Sequence, residues 1–194
     1  MKTAFVLSTV MAVAGFFYHT NKTVASSARE VVSYKATKAR RVTDIQPVAP
    51  IRIEVSKSDY ELKVYDARGW YATYPVVFGN SSLADKCMEG DRCTPEGSFK
   101  IVNKRVHNKW DRYMGLDYPT KESLARFYEL KKQRKIPASA TPGAGVGIHG
   151  TWPHDDYMID RYTNWTNGCI SLKNADIEDL YSYIPLGTPV YIKK

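Results

Sequence analysis

Apolar and polar residues alternate along residues 51–55 (IRIEV) and 60–65 (YELKVY), the period-two pattern of half-buried strands. Residues 71–78 are a further strand candidate, closed by Gly79 and Asn80. The stretch 59–78 thus reads as two strands joined at Ala67-Arg68-Gly69. Residues 98–102 (SFKIV) follow a turn at 95–97 and predict another strand. Thr120 predicts the cap of a helix running to about Arg134, with Glu122 in its first turn and Pro137 beyond its end. Residues 146–149 close a glycine-rich apolar stretch and predict a short buried strand. Asn174 predicts the cap of a second helix over 175–183, with Asp176, Glu178 and Asp179 near its positive end and Pro185 as its stop. Residues 188–192 (TPVYI) predict a last strand. Many short strands with two short helices imply a mostly-β fold, a sandwich or open barrel.

The N-terminal quarter follows different rules. Residues 4–18 are an uncharged apolar run behind Lys2, short for a membrane span, and small residues follow at 25–28. Residues 1–28 are therefore expected to be a signal peptide or an N-terminal membrane anchor. Residues 29–50 show no sustained period and read as a basic linker, leaving 51–194 as the folded domain. Export to the periplasm or cell envelope follows from either reading, with membrane contact through the N-terminal segment.

Charge supports this division. The chain carries a net charge of +8. Seven Lys/Arg against two acidic residues fall in residues 1–50, and 21 against 18 in the remainder. The folded part thus has no basic stripe for nucleic acid, and that partner is set aside. An exported location also changes the reading of the three cysteines. Cys87 and Cys93 are close enough in sequence to be candidates for a disulfide, although spacing alone does not fix their geometry. Cys169 is left over, and a free thiol in an oxidising compartment is either buried and inert or reactive.

Two segments favour reactivity: Gly147-Ile148-His149-Gly150-Thr151 and Trp165-Thr166-Asn167-Gly168-Cys169-Ile170-Ser171-Leu172. An imidazole can draw the proton from a thiol and return it to a leaving amine. Glycine before the cysteine permits a tight turn, and the N–H groups of Gly168 and Cys169 are candidate oxyanion donors. Alone, a His and a Cys twenty positions apart also arise as a satisfied core histidine and a buried thiol. His154 sits in a polar loop and reads as an exposed bystander, and His107 is assigned no role. Asp155, Asp156 and Asp160 lack partners at ligand spacing, so a solvated loop is expected there and no metal. Trp110, Trp152 and Trp165 read as core or as walls of a groove.

The order and flanks of these segments resemble the L,D-transpeptidase catalytic family, the YkuD domain. That family's pattern is a strand ending in His-Gly, a loop of about sixteen residues, then Ser/Thr-x-Gly-Cys and a hydrophobic residue. Here it is matched by His149-Gly150 and Thr166-Asn167-Gly168-Cys169-Ile170. Residues 90–99 (GDRCTPEGSF) are similar to its Gly-Asp…Thr-Pro-x-Gly-x-Phe segment, and Gly187-Thr188-Pro189-Val190 to its closing strand. The likeness spans about residues 51–194. It implies that Cys169 attacks a carbonyl after an L-centre of a peptidoglycan stem peptide, with His149 as base. A thioester forms and an amine acceptor resolves it. Trp165, Thr166, Asn167, Gly150 and Ser171 would contact substrate, and no cofactor is required. A third member of the site would be a backbone carbonyl near 166–167. Many members carry His at the position of Asn167 and Arg at that of Ser171. Trp165-Thr166 with Ser171 is similar instead to a subgroup reading Trp-Thr-x-Gly-Cys-Ile-Ala/Ser, which includes hydrolases. Arg161 is the candidate to supply the missing charge. An L,D-carboxypeptidase acting on the same bond, a wall-linked lipoprotein as acceptor, and a non-catalytic wall-binding module stand as alternatives.

Overall fold

The computed structural model describes residues 38–42 and 45–194. The expected export segment, 1–28, and the linker up to residue 37 lie outside the described residues. The end of the expected linker is not a free spacer. Arg40 and Arg41 pair with Thr73 and Ala72 as an edge strand, and the Val48 N–H donates to Asp66 Oδ2, so the folded part begins before residue 51. The domain is built on nine strands: β1 (Arg40–Arg41), β2 (Arg52–Ser56), β3 (Glu61–Asp66), β4 (Gly69–Pro75), β5 (Gly97–His107), β6 (Asp111–Leu116), β7 (Gly147–His149), β8 (Ile170–Ser171) and β9 (Pro189–Lys193). Three helices accompany them among the described residues: α1 (Lys121–Lys132), α2 (Tyr157–Asp160) and α3 (Asn174–Tyr183). The strand order is β1-β4-β3-β2-β9-β5-β6-β7-β8.

The alternation read from the sequence sets which face is buried. Ile53 and Val55 of β2, and Leu62 and Val64 of β3, are fully buried, while Arg52, Glu54 and Lys63 are not. β5 is the hinge of the sheet. Its residues 97–100 pair with β9 and its residues 101–107 with β6, with a register shift between Ile101 and Asn103. The far ends then meet. Val77, just past β4, exchanges backbone hydrogen bonds with Ser171 of β8 at 3.0 and 2.9 Å. The sheet therefore curls on itself as an open barrel, and Leu62, Val64, Ile101, Ile148, Ile170 and Leu172 share one core.

The helices are close to expectation, with two corrections. Thr120 caps α1, its Oγ1 accepting the Ser123 N–H at 3.2 Å. Asn174 does not cap α3. It is the first helical residue, and its N–H donates to Asp156 Oδ1 at 3.0 Å. Asp156 also accepts from Thr151 Oγ1 at 2.6 Å, so this loop carboxylate ties the chain after β7 to the start of α3. α2, four residues long, has no counterpart in the predicted elements.

The loop between β4 and β5 is held from below by Lys57. This side chain is 0% exposed, yet all three ammonium protons have partners. Its Nζ lies 2.9 Å from Ala84 O, 3.2 Å from Thr94 O and 2.7 Å from Glu96 Oε1. Lys57→Met leaves those three acceptors without it. The substitution is expected to cost about 3 kcal/mol of stability in urea unfolding, and a loss under about 1 kcal/mol would show the loop to be tied elsewhere.

Candidate active site

His149 ends β7 between β6 and β8, so strands fix its backbone on both sides. Its Nδ1 is 2.7 Å from Gly150 O. A carbonyl only accepts, so Nδ1 carries the proton and Nε2 keeps its lone pair. Aromatic rings hold the imidazole in place. Trp110 stacks on it at 4.4 Å and 21°, and Trp165 meets it edge-on at 5.6 Å and 78°. Burial pushes the His149 pKa down to about 4, against the hydrogen bond to Gly150, so the ring is neutral at neutral pH.

Cys169 immediately precedes β8, which runs parallel to β7. Its half-buried thiol donates to Gly145 O at 3.6 Å. Burial pushes this thiol up, while the Gly147 N–H and the charge of Lys86 act in the opposite sense. The resting pair is thus a neutral thiol and a neutral imidazole.

Thr166 shapes the turn into the cysteine. Its hydroxyl donates to Cys169 O at 2.7 Å and accepts the Gly168 N–H at 3.1 Å. The Gly168 N–H is therefore spent inside the turn, which removes it from the two expected oxyanion donors. The third member also differs from expectation. The carbonyl that orients His149 is that of Gly150 rather than one near 166–167, because the chain folds straight back onto Nδ1.

These groups face a cavity of about 600 Å³. His149, Trp165, Thr166, Asn167, Gly168 and Cys169 lie on its wall. Gly150 and Ser171 do not. Ser171 is fully buried, and its hydroxyl donates to Gly150 O at 3.3 Å, so it backs the histidine and does not meet substrate in this arrangement. Arg161 is also off the wall, its guanidinium 5.4 Å from the Tyr157 ring centroid. His154 is exposed and off the wall. His107 stacks on Trp110 at 4.4 Å.

The wall also carries residues to which sequence reasoning gave no role. Lys86, Glu89 and Arg92 come from the β4–β5 loop, and residues 143–146 from the irregular stretch before β7. The buried indole N–H groups of Trp110 and Trp165 have no acceptor among the described residues. Cys87 and Cys93 are separate thiols, so the candidate disulfide is not formed in this structure. Cys87 Sγ donates to Asp85 O and Cys93 Sγ to Asp91 O, each at 3.6 Å. Among the described residues no group of three His, Cys, Asp or Glu is placed to hold a metal ion.

A curled, mostly-β sheet whose cleft gathers the His-Gly and Gly-Cys segments defines a domain of the L,D-transpeptidase type. The sequence profile of the YkuD family, the L,D-transpeptidase catalytic domain, matches residues 50–192, and the chain belongs to that family. YkuD of Bacillus licheniformis, which carries a provisional L,D-transpeptidase name, is 29% identical over 143 residues, covering 74% of this chain and 66% of that protein. YqjB of Bacillus subtilis, likewise provisionally named, is 29% identical over 140 residues, 71% of this chain and 68% of that protein. Among solved structures, the helical cell shape determining protein Pgp2 of Campylobacter jejuni superposes with a TM-score of 0.54 at 22% identity. That superposition covers 84% of this chain and 52% of Pgp2. The chain thus spans about two thirds of YkuD and about half of Pgp2.

Proposed function

We propose that the domain is an exported L,D-transpeptidase that carries a peptidoglycan stem peptide as a thioester on Cys169. The observation that carries this reading is the placing of His149 and Cys169 on one cavity by adjacent paired strands, with Nδ1 of the imidazole committed to Gly150 O. Cys169 Sγ attacks the carbonyl that follows the L-centre while His149 Nε2 takes the thiol proton. The oxyanion forms beside the Cys169 N–H, since the Gly168 N–H is engaged. Collapse breaks the C–N bond, and His149 gives its proton to the departing D-residue's amine. An acceptor amine then attacks the thioester, passes a proton to His149 and displaces the thiolate, which recovers that proton.

Residues 1–28 serve as signal peptide or anchor in this reading, and the residues between them and β1 as the spacer that carries the domain to the wall. A second reading replaces the acceptor amine by water. It is favoured by Ser171, which stands where many family members have Arg and is spent on Gly150 O. Purified protein incubated with stem tetrapeptides decides between them. The expected result is a mass adduct on Cys169 and cross-linked dimers. Tripeptide without dimers would establish the hydrolase. A product pattern unchanged by Cys169→Ala would overturn both. Adducts on a wall-linked protein, in place of dimers, would identify a protein acceptor.

A further inference from the structure

Two lysines of the domain are almost completely buried, and they spend their charge differently. Lys57 has a partner for each of its three protons. Lys86 has a side chain only 4% exposed and makes one hydrogen bond among the described residues, 2.8 Å to Asp91 Oδ1. A buried ammonium with unused donors is costly unless something completes its shell. Asp91 does not turn those donors inward. Its Oδ2 accepts the N–H groups of Cys87 and Met88 at 2.6 and 2.9 Å, and its Oδ1 also accepts that of Cys93 at 3.0 Å. The carboxylate is thus a fixed hub of its loop, and it pins Lys86 in place.

The position of Lys86 gives the spare donors a target. Lys86 lines the cavity that holds Cys169. Its Nζ lies 3.9 Å from the point where a Cβ on Gly168 would be, directly behind the nucleophile turn. The other charged groups on that wall are Arg92, which is exposed, and Glu89, which accepts from Thr141 Oγ1. Position 171 contributes a buried serine and no cation.

We infer that Lys86 is the anion-reading residue of this site, binding a free carboxylate of the stem peptide beside the bond that Cys169 attacks. The inference rests on the stem-peptide reading above. Two carboxylates satisfy the chemistry: that of the departing D-residue, and the one on the second centre of the diamino acid. Lys86 takes the place of the arginine absent at position 171, reaching the cleft from the β4–β5 loop. It binds substrate, while Cys169 and His149 carry the covalent step.

The test compares acylation of Cys169 by three tetrapeptides: unmodified, amidated at its C-terminus, and amidated at the diamino acid's second carboxyl. The wild type is expected to lose at least about tenfold in acylation rate with one of the two amides. Lys86→Arg retains that discrimination. Lys86→Met/Asp91→Asn, which removes both charges together so that Asp91 is not left buried without its partner, abolishes it. Discrimination unchanged in the double variant, absent from the wild type, or abolished by Arg92→Gln instead would overturn the inference. A second measurement does not depend on turnover. The ratio of Cys169 alkylation by anionic iodoacetate to that by neutral iodoacetamide, read by peptide mass mapping, is expected to fall several-fold in the double variant. An unchanged ratio refutes Lys86 as an anion site. A changed ratio in a protein that no tetrapeptide acylates keeps the anion site and rejects the stem-peptide reading.

Discussion

His149→Gln is expected to slow acylation of Cys169 by stem tetrapeptide about a thousandfold and to change the shape of its pH profile. The size follows from the resting state of the pair. Burial keeps the thiol protonated and the imidazole neutral, so neither group is charged in advance. The proton must therefore leave sulfur as the sulfur attacks, and removal of the base forfeits that assistance. The sign of the pH effect follows from a lowered basic pKa. An imidazole with a pKa of about 4 stays deprotonated, and competent as a base, throughout the neutral range. The wild-type rate is expected to be flat from about pH 6 to 8 and to fall only as the medium approaches His149's own pKa. In His149→Gln the rate depends on thiolate alone. It then climbs about tenfold per pH unit to beyond the ordinary thiol pKa, because burial raises that of Cys169. Single-turnover acylation followed by intact mass from pH 4 to 9 separates the two shapes. A variant whose profile runs parallel to the wild type would mean that His149 is not the base.

How much of this could be read from the sequence depends on whether side chains or partners make each feature. The strands at 52–56 and 61–66 announce themselves because one face is buried and the alternation records it. The β5–β6 hairpin does not. Past Ile101, β5 exposes Val102 and Val106 on a polar ribbon, and backbone pairing with β6 together with Arg105 over the Tyr113 ring at 4.6 Å supports it. That ribbon matters, because it ends at Trp110, the ring stacked on His149. β8, two residues long, is defined wholly by its neighbours on each side. The same division holds in the site. His149 and Cys169 are legible because glycines flank them at fixed spacing. The carbonyl orienting His149 is invisible, since every residue has one and only the fold selects Gly150. Ser171 is a substrate contact only by the family resemblance, which places it where many members carry Arg, two positions after Cys169. In a strand that period returns it to one side, and here that side faces Gly150 and the core. Lys86 escaped notice because lysine is ordinarily solvated. A Lys five residues before an Asp carries no signal until the loop folds the pair beneath Gly168.

Gly168→Ala is expected to lower turnover at least about a hundredfold, and Gly187→Ala to leave it within about twofold, although both glycines have positive φ. Gly168 has φ +132° and Gly187 φ +82°, so alanine is strained at either position. What differs is the space. A Cβ on Gly187 would meet nothing within 4 Å. A Cβ on Gly168 would lie 2.8 Å from the carbonyl oxygen of Cys93, which is backbone and cannot swing aside. Relief requires the Thr166–Cys169 turn to move away from the β4–β5 loop, or that loop to yield. The first breaks the bonds from Gly168 N to Thr166 Oγ1 and from Thr166 Oγ1 to Cys169 O, which aim the thiol. The second disturbs Cys93, whose N–H is held by Asp91, and with it the seat of Lys86. Either movement displaces the nucleophile from the cleft by the fraction of an ångström that acylation does not tolerate. Thermal melts should show both variants folded, each destabilised by about 1–3 kcal/mol, with Gly168→Ala the larger loss. Comparable activity in the two variants would mean that backbone strain alone, and not the contact with Cys93, makes position 168 a glycine. The turn could then shift without cost to the chemistry, and the tight seating of Gly168 on the β4–β5 loop would have no part in positioning Cys169.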